Sequence, residues 1–566
     1  MDSVLKMHRA INLLGVGVGV LLFSLSLFSQ GNNGRILGTV TDQTGGVISG
    51  ATISIIDKDR GLARTLTTDD AGEYNAPTLL PGTYTVRVEA NGFKRMEHQN
   101  VVLEVGKEVR VDLTVQPGEQ TQSVTVTESI PLVETTNATL GGTLNNAQIQ
   151  DLPLNGRNYQ YLLSLRPGVM VQPGGGPWTQ STNNIRPDES AWMVDGVLNA
   201  SFYDARPVTG ASSFITDGAT ILPIDAIQEF NLEENPKAEY GWKPGAVVNV
   251  GIRSGTNTLH GAAYAFGRDQ SFDARNIFNP GLDAGGNCES NPALPTVCDK
   301  TPAQLKQFGG VVGGPIRKDK LFFFAGYEGM RSFIGNAFVS SVPATGSGAG
   351  TKKSMVDAIL ALQTAGVPVS AVSKALFGCP SGPLTAASTC TGGLIQNASA
   401  TSTNYLSSFP NTNTSNNGIA KIDYRINSKH MLNGMLWVGR YNGVGEDHPM
   451  VNSIFDDTVE IPNWTSVVNW VWTPSSTVVN EAKLGYTRNG QLLLPFDRNV
   501  FADGSSYPLN TGITNYGGFP SVTISGFAAQ IGSWRGRPVE NGPNPFYDFT
   551  DSVSYLVGKH SFKFGG

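Results

Sequence analysis

The chain has 566 residues, a charged fraction of 15% and a net charge of 40 − 46 = −6. Its charged fraction is below the roughly 25% usual for soluble domains, and its 67 glycines favour strands and turns over helical bundles. A slightly negative chain without a long basic run excludes nucleic acid as a partner class. We therefore expect a mainly β protein, long enough for about three or four domains.

Residues 1–30 have the pattern of a signal peptide. Lys6 and Arg9 precede an uncharged run from Ala10 to Ser29, which ends at a polar segment. An uncleaved membrane anchor is the alternative, since the run is long enough to span a bilayer. The cleavage site is not fixed by the sequence.

Residues 35–116 alternate apolar and polar positions in short runs separated by glycine turns, which predicts a small β-sandwich. The segments GTVTDQTGGVISGA, TDDAGEY and LPGTYTVRVEANGF resemble the carboxypeptidase regulatory-like domain. That resemblance implies a transthyretin-like sandwich, also grouped with carbohydrate-binding folds. It further implies a binding or spacer module without catalytic activity of its own.

A polar linker, residues 117–122, leads into a short stretch that alternates in an extended form. Its residues are Ser123, Val124, Thr125, Val126 and Thr127. Such a stretch can pair with the edge of a sheet.

Residues 151–169, DLPLNGRNYQYLLSLRPGV, predict a compact turn-and-helix unit. A short helix is expected over Tyr159 to Leu165, stopped by Arg166-Pro167-Gly168. Five leucines are expected to anchor the unit: Leu152, Leu154, Leu162, Leu163 and Leu165. Its central motif comprises Leu152, Pro153, Leu154, Asn155, Gly156, Arg157 and Asn158.

From His260 onward the sequence predicts antiparallel hairpins, about nine strands in all. Tight turns at one end and long loops at the other, such as residues 331–417 and 489–544, are what an outer-membrane barrel requires. Aromatic residues at the strand ends suit the two interfaces of a membrane: Phe322 to Phe324, Tyr327, Trp437, Trp464, Trp470 and Trp472. A soluble all-β protein with aromatic-rich strands is the alternative.

The four cysteines form two close pairs without CxxC spacing. Two local disulfides are the economical interpretation for an exported protein, Cys288 with Cys298 and Cys379 with Cys390, although three connectivities are open. No His-x-x-Glu or Gly-x-Ser-x-Gly pattern is present. The sequence therefore predicts no catalytic, cofactor or metal site.

Several motifs together resemble the TonB-dependent receptors, specifically the Oar-like group with an N-terminal regulatory-like sandwich. They are SVTVTESIPLVETTNATLG, LPLNGRNY, LRPGV, WMVDGV, IQEF and FGGVVGGPIRKDKLFFFAGYEG. The resemblance implies a mainly β protein with a sandwich at 35–116, a small α/β plug domain at 123–255 and part of an outer-membrane antiparallel β-barrel at 256–566. The family's barrel has more strands than this length holds, so the sequence is expected to be a fragment or a truncated product.

The resemblance implies a transporter and not an enzyme, located in the cell outer membrane of a Gram-negative-type bacterium. Its sandwich and plug would lie on the periplasmic side. Ser123 to Thr127 become the candidate contact strand for the inner-membrane TonB complex, with an ordinary plug strand as the alternative. The other partners would be outer-membrane lipid and an extracellular ligand, for which siderophore, oligosaccharide and peptide are all open. A surface adhesion or structural protein of the same architecture is the second hypothesis.

Overall fold

The structure is a computed structural model. It describes residues 33–119, 123–126, 140–171, 180–183, 185–186, 189–200, 222–236, 240, 245–274, 303–348, 354–394, 404–444, 451–499, 519, 521–522, 531–532, 539–557 and 560–566. The predicted signal peptide, and Cys288 and Cys298, lie outside these residues. Within them, no helix combines the length and apolar character needed to traverse a bilayer.

Residues 33–119 form a sandwich of two sheets, hereafter the sandwich. Its strands are β1 (Gly34–Asp42), β2 (Thr52–Asp57), β3 (Ala63–Thr67), β4 (Glu73–Leu79), β5 (Gly82–Glu89), β6 (Arg95–Leu103), β7 (Glu108–Arg110) and β8 (Leu113–Val115). One sheet has the order β4-β1-β7, with β8 also on β1, and the other contains β3-β2-β5-β6. Alternate residues such as Ile53, Val86 and Val88 are buried between the sheets, as the sequence alternation predicts.

The plug is the unit formed by the described residues between 140 and 252. It contains strands β10 (Gly141–Asn145), β11 (Val169–Val171), β12 (Gln180–Thr182), β13 (Ala191–Val194), β14 (Val197–Leu198), β15 (Ile227–Glu233) and β16 (Val247–Ile252), and helix α1 (Asn146–Asp151). Its main sheet has the order β10-β15-β16-β13-β14. Asn145 and Gln148 form a reciprocal capping box that starts α1 directly after β10.

The helix predicted over Tyr159–Leu165 is present as a 3-10 helix capped by the Asn158 side chain. Leu162 and Leu163 are buried in the plug core, and Leu152 and Leu154 pack against that core. Leu165, however, is 57% exposed. It is not an anchor, because it is the last residue of the helix and the chain turns away directly after it at Arg166 to Gly168.

A sheet of nine strands, hereafter the wall, follows the plug in the described residues. Its strands are β17 (His260–Asp269), β18 (Ala303–Arg317), β19 (Leu321–Ser341), β20 (Asn404–Arg425), β21 (His430–Val444), β22 (Asp457–Trp472), β23 (Val478–Pro495), β24 (Val539–Val557) and β25 (His560–Gly565). Each strand pairs antiparallel with the next along the chain. The predicted hairpins are thus confirmed as one continuous meander.

The two faces of the wall differ in burial because side chains alternate along each strand. On β20, Lys421 and Asp423 are buried whereas Ile422 is 50% exposed. Trp464, Trp470 and Trp472 lie on the exposed face, as expected for membrane-interface residues. Trp437, Phe322 and Phe324 are fully buried instead. Placing these three at the interface was wrong, since their position in the alternation turns them toward the buried face of the wall.

Strands β19 and β20 are unusually long, with 21 and 22 residues. The prediction that residues 331–417 form one loop was therefore wrong at both ends. Residues 404–417 are mostly Asn, Ser and Thr, and such a sequence carries little apolar alternation from which a strand could be recognised. Backbone pairing with β19 forms the strand regardless of side chain.

The chain between these two strands, together with parts of the β21–β22 and β23–β24 connections, forms a small cluster, hereafter the outer cluster. It contains helices α2 (Met355–Thr364) and α3 (Ala371–Leu376) and a disulfide between Cys379 and Cys390. Its apolar core includes Val356, Ile359, Leu394, Phe455 and Phe519. It is thus a folded unit separate from the plug core.

Candidate functional site

The wall and the plug share one apolar core. Val311, Phe324, Ile419, Met435, Trp437 and Val467 of the wall belong to the same buried cluster as the plug residues Phe230, Val248 and Val250. The plug therefore packs directly on the buried face of the wall. Polar contacts at three places around this core define the candidate site.

The first contact is made by the central plug motif. Gly156 and Arg157 both have left-handed backbone conformations, with φ of 63° and 55°. This conformation is uncommon for a bulky residue such as arginine and often marks a functional position. The Gly156 carbonyl accepts a hydrogen bond of 2.9 Å from Gln307 Nε2 of the wall. The turn thus directs Arg157 toward β17 and β19.

Arg157 joins the plug to the wall through charge and ring contacts. Its Nη2 lies 2.7 Å from Asp225 Oδ2 of the plug, and its Nε lies 3.9 Å from Glu328 Oε2 of the wall. The guanidinium also lies 4.8 Å from the ring centre of Tyr264 and 4.4 Å from that of Phe266. Tyr264 donates a 2.8 Å hydrogen bond to Glu328. A planar guanidinium suits this combination of stacking and pairing.

The second contact is at the turn of the WMVDGV motif. Asp195 and Gly196, with φ of 48° and 76°, form a two-residue hairpin turn between β13 and β14. Asp195 Oδ2 lies 2.7 Å from Lys421 Nζ of the wall, and its Oδ1 accepts a 3.0 Å hydrogen bond from the Ile252 backbone N–H. Lys421 also donates to the Ile252 carbonyl at 2.9 Å. The ammonium is therefore held by two plug groups.

The strand after this turn is fastened to the wall as well. Asn199 Nδ2 donates to Thr465 Oγ1 at 2.6 Å, Thr487 Oγ1 donates to the Leu198 carbonyl at 3.0 Å, and Asn489 Nδ2 donates to the Ala200 carbonyl at 3.0 Å. Beside them, Gly485 leaves room for the Val197 methyl groups, which would lie 2.7 Å from a Cβ at that position. Close packing and uncharged hydrogen bonds thus hold this side of the plug.

The third contact joins the sandwich to the plug. Val105 lies two residues after the end of β6 and is 1% exposed. Its backbone N–H donates to Glu229 of β15, and its carbonyl accepts a 2.9 Å hydrogen bond from Asn231 Nδ2. Its side chain enters the space left by Gly251, where a Cβ would lie 2.7 Å from a Val105 methyl group. Val105 is thus a peg that inserts into the plug sheet.

Burial, together with the nearby charge of Glu104, raises the pKa of Glu229 to about 8. The hydrogen bond from Val105 and the charges of Lys421 and Lys107 act in the opposite direction but only in part. The junction between sandwich and plug therefore contains a carboxyl group that favours its neutral form.

The sandwich also contacts the end of the wall that carries the tight turns. Asp59 accepts a backbone hydrogen bond of 2.9 Å from Asn257. Arg425 Nη2 donates to the Ala63 carbonyl at 3.1 Å, and Asn75 Nδ2 donates to Ser561 Oγ at 3.2 Å. The sandwich thus lies across this end of the wall, on the side opposite the outer cluster.

The candidate partner-contact strand is β9 (Ser123–Val126). It pairs in parallel with β6, with Met96 opposite Val124 and Glu97 opposite Thr125. This pairing extends the second sandwich sheet to β3-β2-β5-β6-β9. The strand is therefore hydrogen-bonded to the sandwich and not to the plug sheet. Thr127 lies outside the described residues.

These contacts join the plug to the wall and the sandwich to the plug. No group of three or more His, Cys, Asp or Glu residues in the described part of the chain is placed to hold a metal ion. Sequence reasoning identified the plug motif and the β9 segment but missed Lys421, Glu328, Asp225 and Val105 as contacts. The inward row of β20 is largely polar, with Ser415, Asn417 and Asp423 buried beside Lys421, so no sequence signal singled out Lys421.

Two family models match the chain. One, described as an outer membrane beta barrel domain, matches residues 251–566, more than half of the chain, and the other, described as a carboxypeptidase regulatory-like domain, matches residues 35–116. Among curated proteins, the TonB-dependent transporter Oar of Myxococcus xanthus is 26% identical over 335 residues, which are 57% of this chain and 29% of that protein. The chain therefore spans less than a third of the length of that relative.

Solved structures with a similar fold include the outer membrane transporter YddB from Escherichia coli, 11% identical with a TM-score of 0.43. That alignment covers 75% of this chain and 47% of YddB. A ferric enterobactin receptor from Pseudomonas aeruginosa is 10% identical with a TM-score of 0.39, over 76% of this chain and 49% of the receptor.

Proposed function

Because the chain belongs to the outer membrane beta barrel domain family, and so lies in the outer membrane, we propose that it acts as a TonB-dependent receptor. It binds an extracellular ligand and moves that ligand through the wall past the plug. The sandwich and the plug lie on the periplasmic side. The inner-membrane TonB complex supplies the force, and outer-membrane lipid surrounds the wall.

The observation that carries this proposal is the kind of contact between plug and wall. The ion pair of Asp195 with Lys421, the Arg157 contacts and a few uncharged hydrogen bonds are all non-covalent side-chain interactions. Such contacts can break and re-form when the plug is pulled. A plug that served only as structural filling would have no need of buried charges, which cost free energy to desolvate.

Force would enter at Ser123 to Thr127. An extended segment can gain a partner strand through backbone hydrogen bonds, largely independent of side-chain identity. In this proposal the outer cluster and the outward ends of the long strands contact the ligand. Siderophore, oligosaccharide and peptide remain the three candidate ligand classes.

The second candidate function is surface adhesion or a structural role without transport. The observation that favours it is the outer cluster, which is closed by the Cys379–Cys390 disulfide and supported on two long strands. A rigid, projecting unit of this kind suits attachment to a surface. In that case the plug would only close the wall.

Deletion of Ser123–Thr127 separates the two functions. Cells carrying the deletion would be supplied with a radio-iron-loaded siderophore mixture, labelled oligosaccharides and labelled peptides, and both surface binding and uptake would be measured. Transport predicts that binding of one probe class persists while its uptake is lost. Unchanged uptake would refute the proposed transport mechanism, in which force enters at this segment. Loss of cell attachment only after deletion of residues 355–394 would support adhesion.

A further inference from the structure

A cavity lies where the sandwich meets the tight turn between β20 and β21. Its volume is about 100 Å³, several times what one buried water molecule needs. The sandwich contributes Arg64 and Tyr84 to the lining, and the wall contributes Arg425, Lys429 and His430. Apolar side chains of both units line it as well: Ile55, Leu79, Leu80, Met431 and Val471. The cavity therefore combines positive charge with apolar surface.

Arg64 is a cation without a counter-charge. Its Nη1 donates a hydrogen bond to the Pro77 carbonyl, but its Nη2 is closed off from solvent and has no hydrogen-bond partner. None of the ion pairs within the described residues includes Arg64. Burial lowers its pKa to about 10. A desolvated guanidinium of this kind costs free energy, which an anion in the cavity would offset.

The carboxylate in the lining, Asp57, does not supply this charge. Its Oδ2 lies 2.7 Å from Arg60 Nη1, and the two side chains are 3% and 7% exposed. Its Oδ1 accepts two backbone hydrogen bonds of 3.0 Å within the same turn. Arg425 and Lys429, like Arg64, belong to none of the described ion pairs. The cavity therefore keeps three positive charges that no carboxylate of the described residues balances.

An aromatic stack beside the cavity indicates its depth in the membrane. The ring of His430 is nearly parallel to that of Trp470, with centres 5.7 Å apart, and Trp470 stacks on Trp472 at 6.2 Å. Both tryptophans lie on the exposed face of the wall, where indole rings favour the level of the lipid headgroups. The cavity that His430 lines is therefore level with the headgroups on the side of the tight turns.

We propose that this cavity binds the phosphate group of an anionic phospholipid of the periplasmic leaflet, with phosphatidylglycerol as the probe. Arginine and lysine are the residues that bind lipid phosphates. A zwitterionic lipid fits less well, because its ammonium group would add a further positive charge. The inference rests on the proposed function for the periplasmic placement of the tight turns, but it does not require transport.

The bound phosphate would bridge the two units. Arg64 belongs to the sandwich, whereas Arg425 and Lys429 belong to the wall. Their direct contact at this place is the 3.1 Å hydrogen bond from Arg425 Nη2 to the Ala63 carbonyl. A phosphate between the three cations would add charged contacts to that single hydrogen bond. The lipid thus fastens the sandwich to the end of the wall.

Native mass spectrometry of the purified full chain in detergent tests the proposal. The chain would be titrated with phosphatidylglycerol and with phosphatidylcholine, and inorganic phosphate would be added as a competitor. We expect phosphatidylglycerol to bind more tightly by about tenfold or more, and Arg64→Gln to lower that affinity by about tenfold, because a charge-assisted contact is lost. Lys318→Gln is the matched control, since it removes an exposed positive charge from a neighbouring turn outside the cavity.

Three outcomes would overturn the proposal. Equal affinity for the two lipids would show that the phosphate is not selected by charge. Equal losses in Arg64→Gln and Lys318→Gln would show a diffuse attraction to anionic lipid and not a site. Displacement of phosphatidylglycerol by an equal concentration of inorganic phosphate would show that the cavity takes the free ion.

Hydrogen exchange locates the site independently, and it does not depend on the folding of the Arg64 variant. Lys429 is exposed in the turn, so Lys429→Gln should fold normally. Phosphatidylglycerol should slow amide exchange at residues 427–430 of the wild-type chain and much less in this variant. Equal slowing in both, or slowing only elsewhere, would overturn the proposal. A chain that binds the lipid as expected but takes up no probe would refute the proposed function alone.

Discussion

Lys421 of the wall and Asp195 of the plug form a buried ion pair, with 2.7 Å between Nζ and Oδ2 and side chains that are 8% and 4% exposed. The two residues are far apart in the sequence and meet only because the plug turn contacts strand β20. This pair is the most buried charge contact between the two units among the described ion pairs.

Removing one member of this pair should destabilise the plug. Asp195→Asn keeps the turn, because asparagine before glycine suits the same left-handed conformation, but leaves Lys421 buried without its counter-charge. We expect a loss of about 3 kcal/mol or more for a buried pair broken on one side. Adding Lys421→Met to this variant should restore most of the lost free energy of unfolding. Thermal unfolding and protease cleavage of the plug would measure both the loss and the restoration of stability. Equal destabilisation of the single and the double variant would contradict the prediction.

Arg157→Lys should loosen the plug although it keeps the charge. Lysine cannot pair with Asp225 and stack on Tyr264 and Phe266 at once, so we expect a loss on the order of 1–2 kcal/mol. The measurement is the urea concentration at which the protein begins to conduct ions in a planar bilayer. Arg268→Lys is the matched control, because the Arg268–Asp273 pair is exposed and should contribute little. Similar shifts for both variants would argue against a special role of Arg157.

Stability of the sandwich–plug junction should fall as the pH rises. The folded pKa of Glu229 is raised from 4.5 to about 8 by burial, so the folded state favours the neutral carboxyl. The stabilisation that the neutral Glu229 side chain gives the folded state is complete below pH 4.5. It is lost as the pH rises through about 8. Glu229→Gln should remove this dependence, with a difference on the order of 5 kcal/mol at high pH, since one pKa unit corresponds to about 1.4 kcal/mol.

Hydrogen exchange at Val105 as a function of pH would measure this effect. Between pH 4.5 and about 8, the Val105 amide of the wild-type protein should lose more protection than the intrinsic rise in exchange rate explains. The Val105 amide of the Glu229→Gln variant should not. A wild-type protein and a Gln variant with parallel pH profiles would show that Glu229 is not the titrating group.

Reduction of the Cys379–Cys390 disulfide should open the outer cluster but leave the plug intact. Closing a loop of this size is expected to contribute about 2–3 kcal/mol. The paired variant Cys379→Ser with Cys390→Ser should therefore be cleaved faster by proteases within residues 354–394. Faster cleavage within the plug as well would mean that the two units are coupled.

The sequence predicted the strands well because both the sandwich and the wall bury one face. Residues such as Val86, Val88, Lys421 and Asp423 occupy alternate positions, and this period is visible without any structure. The end of β20 was missed because its buried residues Asn413, Ser415 and Asn417 are polar, so no apolar period marks the strand in the sequence.

The site was less predictable, since its contacts join segments far apart in the chain. The sequence indicated that Arg157 lies in a tight turn but not that Glu328 and Phe266 would meet it. Strand β9 was recognisable as extended from its alternation, yet nothing in four residues specified β6 as its neighbour. Val105 could not be identified from the sequence as a contact residue, because a valine after a strand is common. The space at the facing Gly251 that it fills is visible only in the structure.

The length of β19 and β20 has a consequence for what the protein first meets outside the cell. A membrane-spanning strand needs about 9–11 residues, whereas these two have 21 and 22. With the tight turns on the periplasmic side, as proposed above, the excess of roughly 10 residues, at about 3.3 Å each, would place the outer cluster some 25–30 Å above the bilayer, allowing for tilt. In that orientation, a macromolecule that approaches from outside the cell would meet these strand ends and the disulfide-closed outer cluster before it reaches the bilayer.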